Sequence, residues 1–336
     1  MVITHGELLI DFVPTVTGVG LIDAPAFIKA PGGAPANVAA GLARLGTPAA
    51  FLGQVGDDAF GHFLAATLRD VGVDIGLLSF SKEARTALAF VSLRADGERD
   101  FMFYRHPSAD MLYAPRDVEL HAAALRKAEV FHFGSISLIG EPARAATLRA
   151  VVLACEGGAL ISYDPNLRLP LWPSAEAARE GMWRGLREAH VLKIAEEELA
   201  FLTGTTDEDE AIRQIWHPRL RLVAITRGAE GSEYITEASR ERVASLRVEA
   251  VDTTGSGDAF MAGLLSGLLS PEGFPAGQLT ASNAVFSAPD APARLRGIVR
   301  RANVAGALTA TRRGAIPAMP FPEAVQNALR TLAKAT

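Results

Sequence analysis

The sequence predicts an α/β fold in which a mostly parallel sheet is covered by helices on both faces. The main observation is that short apolar runs rich in strand-forming residues alternate with helical patterns along most of the 336 residues. No repeat and no linker divides the chain. The strands are predicted at GGALISYD (157–164), HVLKI (190–194), RLVAIT (221–226) and VASLRVEAV (243–251). Ligands of such sheets bind at the carboxyl ends of the strands.

The composition excludes several classes of function. A formal net charge of −5 argues against a protein that binds nucleic acid through a basic surface. The single cysteine, Cys155, permits no intrachain disulfide and no cysteine-based zinc site, and it indicates a reducing compartment. Its apolar surroundings, VVLACEGG, favour a packing role over a nucleophilic one.

The hydropathy pattern indicates no membrane partner. No apolar run approaches the roughly 20 residues that cross a bilayer. The N-terminal MVITHGELLIDF lacks the basic region and continuous apolar core of a signal peptide, so it is predicted to form the first strand. We expect a cytoplasmic protein.

Irregular segments interrupt the alternation and predict a small antiparallel flap beside the main sheet. TALAFVSLR and ERDFMFYR flank Ala95-Asp96-Gly97, a hairpin signal in which Gly97 is free to take a positive φ. Residues 14–31 have strand-forming residues without a helical pattern. Residues 270–297, rich in Pro, Gly and Ala, predict a surface insertion with one or two weak helices.

The stretch DTTGSGDAF (252–260) predicts a strand-to-helix turn in front of the buried helix AFMAGLLSGLL. Gly255 and Gly257 allow a tight bend and let a ligand approach the main chain. The first N–H groups of the helix carry the positive end of its dipole and form an anion site. Asp258 would repel a resting anion, but it suits a base that accepts the proton of a hydroxyl attacking a phosphoryl group.

The turn has a second interpretation, because an Asp near a helix start stabilises the helix without any catalysis. Other nucleotide motifs are missing from the sequence: there is no GxxxxGK[ST], GxGxxG, HRD or DFG. P-loop enzymes and the protein-kinase fold are thereby excluded at the level of motifs.

A second glycine-containing turn lies in APGGAPANVAAGLARLG (30–46). Gly32-Gly33 opens a helix whose first turn holds Asn37 and whose end is marked by Gly46. Gly33 would let the hydroxyls of a polyol reach the backbone, and Asn37 offers a donor and an acceptor together. The alternative is an ordinary strand-to-helix turn.

Together the two turns resemble the two signatures of the ribokinase-like (PfkB) family of sugar and nucleoside kinases, and the chain is similar to its plant-type fructokinase branch. The resemblance runs from residue 6 to about residue 317, through GELLIDFVPT, APGGAPANVA, RTALAF, FMFYRHPSADM, FHFGSISLI, SYDPNLRLPLWPS, DTTGSGDAFMAG and TRRGAIP. It implies a three-layer αβα fold in a single domain over 1–336, with a β lid from about 12–31 and 86–106.

The resemblance also implies the reaction, which is ATP-dependent phosphorylation of D-fructose to fructose 6-phosphate. Asp258 matches the general base, and Gly255, Ser256 and Gly257 match the anion hole. Asp11 matches a sugar-binding acid at the end of LLID, where a first strand would deliver it into the cleft, although a strand-end acid can also simply face water. The other positions that match sugar-binding residues are Gly33, Asn37, Arg105 and Arg168.

The nucleotide and metal sites are implied in the same way. For ATP, the matching positions are Thr226, Gly228, Gly231 and Asn303. For a monovalent cation such as K⁺, they are Asp252 and Thr254 with carbonyl groups of Thr309, Arg312 and Gly314. Mg²⁺ is expected with ATP, held mostly by phosphates and water. The family's NxxE motif appears as AEEE (195–198), so Ala195 replaces the Asn while Glu198 keeps the acid and shares the metal's water shell with Asn166.

Three functions stay open on the sequence alone. A lid that excludes water and pairs between subunits suits a fructokinase that acts as a homodimer. The same fold also serves other substrates, such as 2-keto-3-deoxygluconate, ribose or, less favoured here, a nucleoside. A non-catalytic fructokinase-like binding protein is opposed by the presence of Gly255, Gly257 and Asp258.

Overall fold

The computed structural model describes residues 1–16, 18–93, 99–271, 273–274 and 286–335. Two sheets and eleven α-helices are formed by these residues. The strands are β1 Val2–His5, β2 Leu9–Pro14, β3 Phe27–Gly32, β4 Ala49–Gly56, β5 Leu78–Ser81, β6 Leu88–Leu93, β7 Arg99–Tyr104, β8 Val130–Gly134, β9 Leu160–Asp164, β10 Val191–Ala195, β11 Leu222–Thr226, β12 Ser232–Ile235 and β13 Arg240–Val243. The helices are α1 Ala34–Arg44, α2 Ala59–Asp70, α3 Pro115–Glu119, α4 Ala122–Leu125, α5 Ala143–Glu156, α6 Ala175–Leu186, α7 Glu196–Thr203, α8 Glu208–Ile215, α9 Ser256–Leu269, α10 Ala291–Ala310 and α11 Pro322–Ala335.

The larger sheet has nine strands in the order β13-β12-β11-β10-β9-β8-β1-β4-β5. All neighbouring strands between β11 and β5 in this order are parallel. At the other edge, β12 and β13 extend the sheet through antiparallel pairs. The parallel strands are buried on both faces, as their continuous apolar runs predict. The predicted strands β9, β10 and β11 are confirmed.

Helices cover both faces of this sheet, so the predicted three-layer α/β class is confirmed. Neighbouring strand residues point to opposite faces, and Val2 and Ile3 accordingly lie in different apolar cores. One core is built with α1, α2, α9, α10 and α11, and the other with α3 to α8.

A smaller sheet, in the order β3-β2-β6-β7, forms the predicted flap, which we call the lid sheet. The β2–β3 and β6–β7 pairs are antiparallel, whereas the two hairpins meet through a parallel β2–β6 pair. The strands on both sides of the predicted hairpin turn are confirmed, and the turn itself, Ala95, Asp96 and Gly97, lies outside the described residues.

The prediction of a single first strand is wrong. MVITHGELLIDF forms β1 in the large sheet and β2 in the lid sheet. The chain changes sheet at Gly6, which has a φ of 150° and packs against Pro35. Asp11 therefore lies within β2 of the lid sheet and not at the end of a strand of the large sheet.

The prediction of a strand over 243–251 is also wrong. The edge strand β13 ends at Val243, and the following residues form no regular element. The backbone N–H groups of Val251 and Asp252 instead donate to the carbonyl of Ala310 at the end of α10. The strand-like residues 244–251 thus form a segment that leaves the sheet and contacts the end of α10.

The predicted insertion over 270–297 is only partly described. Residues 291–297 belong to α10, a 20-residue helix, so they are not the weak helix that composition suggested. Residues 272 and 275–285 lie outside the described part. Within the residues that are described, no helix combines the length and apolar character needed to span a membrane.

Candidate active site

The first turn of α9 has the predicted form. Gly255 is the N-cap, with φ 78° and ψ 0°, a left-handed conformation that glycine adopts without strain. A Cβ at this position would lie 2.6 Å from the Cβ of Ala315, so both conformation and space require glycine. Ser256 and Gly257 follow as the first helical residues. Ser256 N donates to the carbonyl of Thr253 at 3.2 Å, and the N–H groups of this turn have no partner within the helix. The turn therefore presents donors and a positive dipole end.

The Asp258 carboxyl group is hydrogen-bonded to a side chain of α1, and the N-cap residue of α9, Gly255, has no side chain that could cap the helix. Asp258 is 8% exposed, and its Oδ2 accepts a hydrogen bond from Nδ2 of Asn37 at 2.8 Å. Burial raises the pKa of Asp258, while the Asn37 bond and the charges of Lys193 and Arg168 act in the opposite direction. This arrangement disfavours the purely structural interpretation and suits a general base.

Asn37 supplies more than this one contact. It lies in the first turn of α1, it is 5% exposed, and its Oδ1 is buried without a hydrogen-bond partner in the described structure. A buried acceptor without a partner is costly unless a ligand or water donates to it. The Oδ1 atom is therefore a candidate acceptor for a substrate hydroxyl beside Asp258.

Asp11 and Arg168 belong to the same electrostatic group as Asp258. Burial raises the pKa of Asp11 to about 7, Arg168 lowers it and Asp258 raises it. Gly32 leaves room for this acid, since a Cβ there would lie 2.1 Å from Oδ2 of Asp11. Gly33 is the N-cap of α1 and has a φ of 108°. A Cβ at this position would lie 2.3 Å from the carbonyl oxygen of Glu7, so no side chain fits there. The structure thus brings together Asp11, Gly33, Asn37 and Arg168 from three separate parts of the chain.

Arg105 is placed differently from the other predicted sugar-binding residues. It is 4% exposed and forms an ion pair and hydrogen bond with Asp110. Arg105 also lowers the pKa of the buried Glu7, which burial raises to about 7. Its guanidinium is thus already engaged by an acid of the chain.

Sequence reasoning missed Lys193 and Asp164. Lys193 in β10 is buried, and its Nζ lies 3.0 Å from Oδ2 of Asp164 at the end of β9. The same Nζ lies 3.1 Å from the point where a Cβ of Gly257 would be. A lysine inside the apolar run HVLKI was the available signal, because a buried lysine needs an acidic partner.

Three acids and a lysine share this region, and the ionisation of these groups is linked. Burial raises the pKa of Asp164 to about 7 while Lys193 lowers it. Burial alone would lower the pKa of Lys193, but Asp164, Glu198 and Asp258 together raise it. Lys193 therefore carries a positive charge directly beneath the first turn of α9.

Three of the four predicted nucleotide-binding residues, Thr226, Gly228 and Gly231, lie at the carboxyl end of β11. Thr226 ends this strand, and Gly228 to Gly231 form the following loop, closed by a hydrogen bond of 2.8 Å from Arg227 N to Gly231 O. A Cβ on Gly231 would lie 2.2 Å from the carbonyl oxygen of Val243, so the loop is held against β13.

The side chain of Asn303 is engaged within the protein. It is 5% exposed, its Nδ2 donates to Val243 O at 2.8 Å, and its Oδ1 accepts from Ser232 Oγ at 2.9 Å. Asn303 therefore joins α10 to the hairpin of β12 and β13, which forms one wall of the predicted nucleotide site.

The residues predicted to hold a monovalent cation lie in the turn before α9 and in the last turn of α10 with the loop that follows it. Asp252 joins them, because its Oδ1 accepts from Thr254 N at 2.9 Å and its Oδ2 accepts from Gly314 N at 2.8 Å. At the end of α10, the carbonyl of Thr309 accepts from Arg312 N at 3.3 Å. The five predicted residues are thus adjacent, with Asp252 as their link.

Glu198, predicted to act on Mg²⁺ through water, connects two loops. Its Oε1 accepts from Leu167 N at 2.6 Å and its Oε2 accepts from Ala195 N at 2.9 Å. Asn166 lies next to this contact, and its N–H donates to Asp164 Oδ1 at 3.2 Å. Across the described parts of the chain, no group of three or more His, Cys, Asp or Glu side chains is arranged to hold a metal directly. These residues fit a metal held by ligand oxygens and water and not a protein cage.

The chemistry that this arrangement supports is a transfer of an anionic group to a hydroxyl. Helix amides and Lys193 supply positive charge, and the acid Asp258 lies within electrostatic reach of both Lys193 and Asp11. Positive groups stabilise charge on the moving group, and an acid within reach accepts the hydroxyl proton.

Comparison with known proteins agrees with this geometry. The chain matches the model of the pfkB family of carbohydrate kinases over residues 1–322. It is 51% identical over 331 residues to the probable fructokinase-4 of Arabidopsis thaliana, covering 98% of this chain and 97% of that protein.

Solved structures of fructokinases have the same fold. The fructokinase of Xylella fastidiosa with bound ATP superposes with a TM-score of 0.88 at 34% identity, covering 99% of both chains. A double-mutant fructokinase of Vibrio cholerae O395, in its fructose, ADP and potassium ion bound form, gives a TM-score of 0.82 at 35% identity, covering 98% of this chain and 97% of that one. The predicted ribokinase-like fold is thereby confirmed.

Proposed function

The chain belongs to the pfkB family of carbohydrate kinases, and we propose that it transfers the γ-phosphoryl group of ATP to D-fructose, giving fructose 6-phosphate. The single observation that carries this proposal is the buried Asp258 carboxyl group, which is held by Asn37 beside the first turn of α9. The similarity to fructokinases over nearly the whole chain supports the sugar and the nucleotide.

Asp258 acts as the general base in this proposal. Its Oδ2 is fixed by Asn37, and its Oδ1 accepts the proton of the sugar's primary hydroxyl group. The hydroxyl oxygen attacks the γ-phosphorus as it loses this proton. The bond from the γ-phosphorus to the bridging oxygen breaks, and ADP leaves with that oxygen. Asp11 and the unpartnered Oδ1 of Asn37 accept hydrogen bonds from other hydroxyl groups of the sugar and so orient the sugar for the transfer.

The anion hole consists of Gly255, Ser256 and Gly257 at the start of α9, together with Lys193 beneath them. Preorganised donors stabilise the charge that develops on the transferring group more strongly than water does, because they need no reorganisation. Arg168 lies within electrostatic reach of Asp11 and Asp258, so it contributes positive charge on the sugar side.

The nucleotide is proposed to lie over the loop after β11, near Thr226, Gly228 and Gly231, against the wall that Asn303 holds together. Mg²⁺ bound with ATP neutralises charge on the phosphate oxygens. Glu198 and Asn166 are proposed to order water around it, since their loop adjoins Asp164 and Lys193. A monovalent cation, K⁺, is proposed between the Asp252 turn and residues 309–314 at and after the end of α10, supported by the linking bonds of Asp252.

We also propose that the whole chain acts as one catalytic domain, with the lid sheet closing over the sugar. Asp11 supports this, because it lies on β2 and yet interacts electrostatically with Asp258 on α9. A cytoplasmic location is part of the proposal, supported by the single, half-buried Cys155.

A homodimer is proposed to form through the lid sheet. Val13 and Ile28 are directly paired across β2 and β3, and they are 46% and 62% exposed. They lie on the same face as Asp11, because residues two apart in a strand share a face. A second lid sheet packed on this apolar pair would cover it and close the outer end of the sugar site.

The proposed function is tested by an assay of ADP release with purified protein, ATP and Mg²⁺ across fructose, ribose and 2-keto-3-deoxygluconate, with and without K⁺. We expect fructose to give the highest kcat/KM. A higher value for another sugar contradicts the proposed substrate, and sugar binding without ADP release from any sugar contradicts the proposed activity.

A further inference from the structure

A cavity beside the start of α1 is lined by polar groups that the proposed transfer step does not use. Its lining includes Glu7, Gln54, Arg105, Asp110, Tyr113 and Ser137. The cavity adjoins the sugar-binding turn, because the Glu7 carboxyl group accepts a hydrogen bond of 2.9 Å from Ala34 N and its carbonyl oxygen packs against Gly33. It is therefore placed to receive part of a sugar held at Gly33.

Several buried polar atoms of this lining have no hydrogen-bond partner in the described structure. They are Nε of Arg105, the hydroxyl of Tyr113 and Oγ of Ser137, in residues that are 4%, 1% and 8% exposed. Buried polar atoms in folded proteins nearly always have partners, so their presence here indicates a polar ligand or water. Two hydroxyls and a guanidinium N–H suit the hydroxyl groups of a polyol.

The lining contains one buried cation, Arg105, and two acids, Asp110 and Glu7. Arg105 is paired with Asp110, and Ser108 Oγ donates to Asp110 Oδ1 at 2.5 Å, which fixes that acid in place. Glu7 also interacts electrostatically with Arg105. Burial lowers the pKa of His5 to about 4, so this neighbour is neutral. Apart from the exposed His106, the lining residues bring no other cationic side chain, and the pocket carries no surplus positive charge.

We propose that Asp110 is a specificity-determining residue that makes this pocket select neutral sugars over sugar acids. By pairing with Arg105, Asp110 occupies the buried guanidinium that would otherwise bind a substrate carboxylate, and it adds a negative charge that repels one. A neutral ketose needs no such cation, and its hydroxyls meet the unpartnered donors and acceptors of Arg105, Tyr113 and Ser137. The inference rests on the proposed sugar kinase function and names the substrate class of that site.

The test measures kcat/KM for fructose and for 2-keto-3-deoxygluconate, used as the sugar-acid probe, in the wild type and in Asp110→Asn. The wild type is expected to favour fructose by at least about 100-fold, the range that an unpaired or opposed buried charge imposes. Asp110→Asn keeps the shape of the side chain but releases Arg105. It is expected to shift the ratio of the two kcat/KM values toward the sugar acid by about 10-fold or more.

A double variant, Arg105→Gln with Asp110→Asn, separates the attraction by Arg105 from the repulsion by Asp110. With both charges removed, its ratio should fall between those of the wild type and Asp110→Asn. A merely structural role for Asp110 would lower kcat/KM equally for both sugars and leave the ratio unchanged. Asp70→Asn, on an acid with an exposed side chain at the end of α2, is the matched control and should keep the wild-type ratio.

The proposal stays falsifiable if Asp110→Asn does not fold, because the double variant is still expected to favour fructose less strongly than the wild type does. A wild type that uses both sugars equally well overturns it, as does a folded Asp110→Asn, or a folded double variant, with the wild-type ratio. Failure of the wild type to phosphorylate any sugar is a different result, which overturns the proposed function itself.

Discussion

Asn37 donates a hydrogen bond of 2.8 Å to Asp258, although 221 residues separate them in the chain. The bond joins the first turn of α1 to the first turn of α9, so the two glycine-containing turns of the sequence form one site. It orients one oxygen of the Asp258 carboxyl group and leaves the other for a substrate. The two turns therefore form a single site that can bind and deprotonate a hydroxyl group.

The first prediction concerns pH. Asp258 must be ionised to accept a proton and Asp11 must be ionised to accept hydrogen bonds, and burial raises the pKa of both, that of Asp11 to about 7. We therefore expect kcat/KM for fructose to fall as the pH drops below about 7. Asn37→Ala removes a bond that lowers the pKa of Asp258, so its acid limb should move to higher pH and its KM should rise by about 10-fold.

Asn327→Ala, on an exposed Asn of α11, serves as the control and should reproduce the wild-type profile. The measurement is steady-state kinetics from pH 5 to 9 on all three proteins. An acid limb that stays in place in Asn37→Ala would contradict the role of the bond.

The second prediction concerns Lys193. Lys193→Met removes the positive charge beneath α9, so kcat should fall by about 10-fold or more. It also leaves Asp164 buried and unpaired, which should lower the free energy of unfolding by about 3–5 kcal/mol. Chemical denaturation and kinetics measure the two effects separately.

A double variant, Lys193→Met with Asp164→Asn, should regain much of the stability but not the activity, because the unpaired charge is gone while the cation is still missing. Lys127→Met, on an exposed lysine, is the control and should be neutral. Recovery of kcat in the double variant would show that Lys193 acts only on stability.

The third prediction concerns the glycine that begins α9. Gly255→Ala places a Cβ against Ala315 and imposes a left-handed conformation on alanine, which costs about 1–2 kcal/mol before any clash. We expect a lower free energy of unfolding and at least about a 10-fold lower kcat, since the anion-binding amides shift. Gly297→Ala is the matched control, because it lies exposed in α10 with open space around it and should stabilise by up to about 1 kcal/mol. Equal kinetics for both variants would contradict the proposed anion hole.

The fourth prediction concerns the lid sheet. Ile28→Lys places a charge in the exposed apolar pair with Val13, so a dimer that buries this pair should dissociate. Ile22→Lys, at a residue that is 94% exposed, should leave the dimer intact. Sedimentation equilibrium measures the mass of each. A wild type that sediments as a monomer at all concentrations contradicts the proposed dimer.

Sequence patterns predicted the parts of the fold that depend on local periodicity. The buried strands β9, β10 and β11 and the apolar α9 follow directly from their runs of residues. The segment 244–251 has a strand-like pattern, but its end is hydrogen-bonded to the last residue of α10 and not to a strand, since Val251 N donates to the carbonyl of Ala310. Periodicity carries no information about such a partner.

The candidate site divides in the same way. The two turns with Gly33, Asn37, Gly255 and Asp258 were predicted from their own residue types and then from the family resemblance. The pairing of Arg105 with Asp110 was not, because the sequence shows two charged residues near each other without showing which of them faces a ligand. The pair of Lys193 and Asp164 depends on two neighbouring strands, which only the sheet order brings together.

The measurement that tests the central claim most directly is the turnover of Asp258→Asn with ATP and fructose, together with its affinity for fructose. The variant keeps the size of the side chain and removes the base, so kcat should fall by at least about 100-fold while fructose binding changes only a few-fold. A kcat close to that of the wild type would contradict the account, because the proton of the attacking hydroxyl would then have another acceptor.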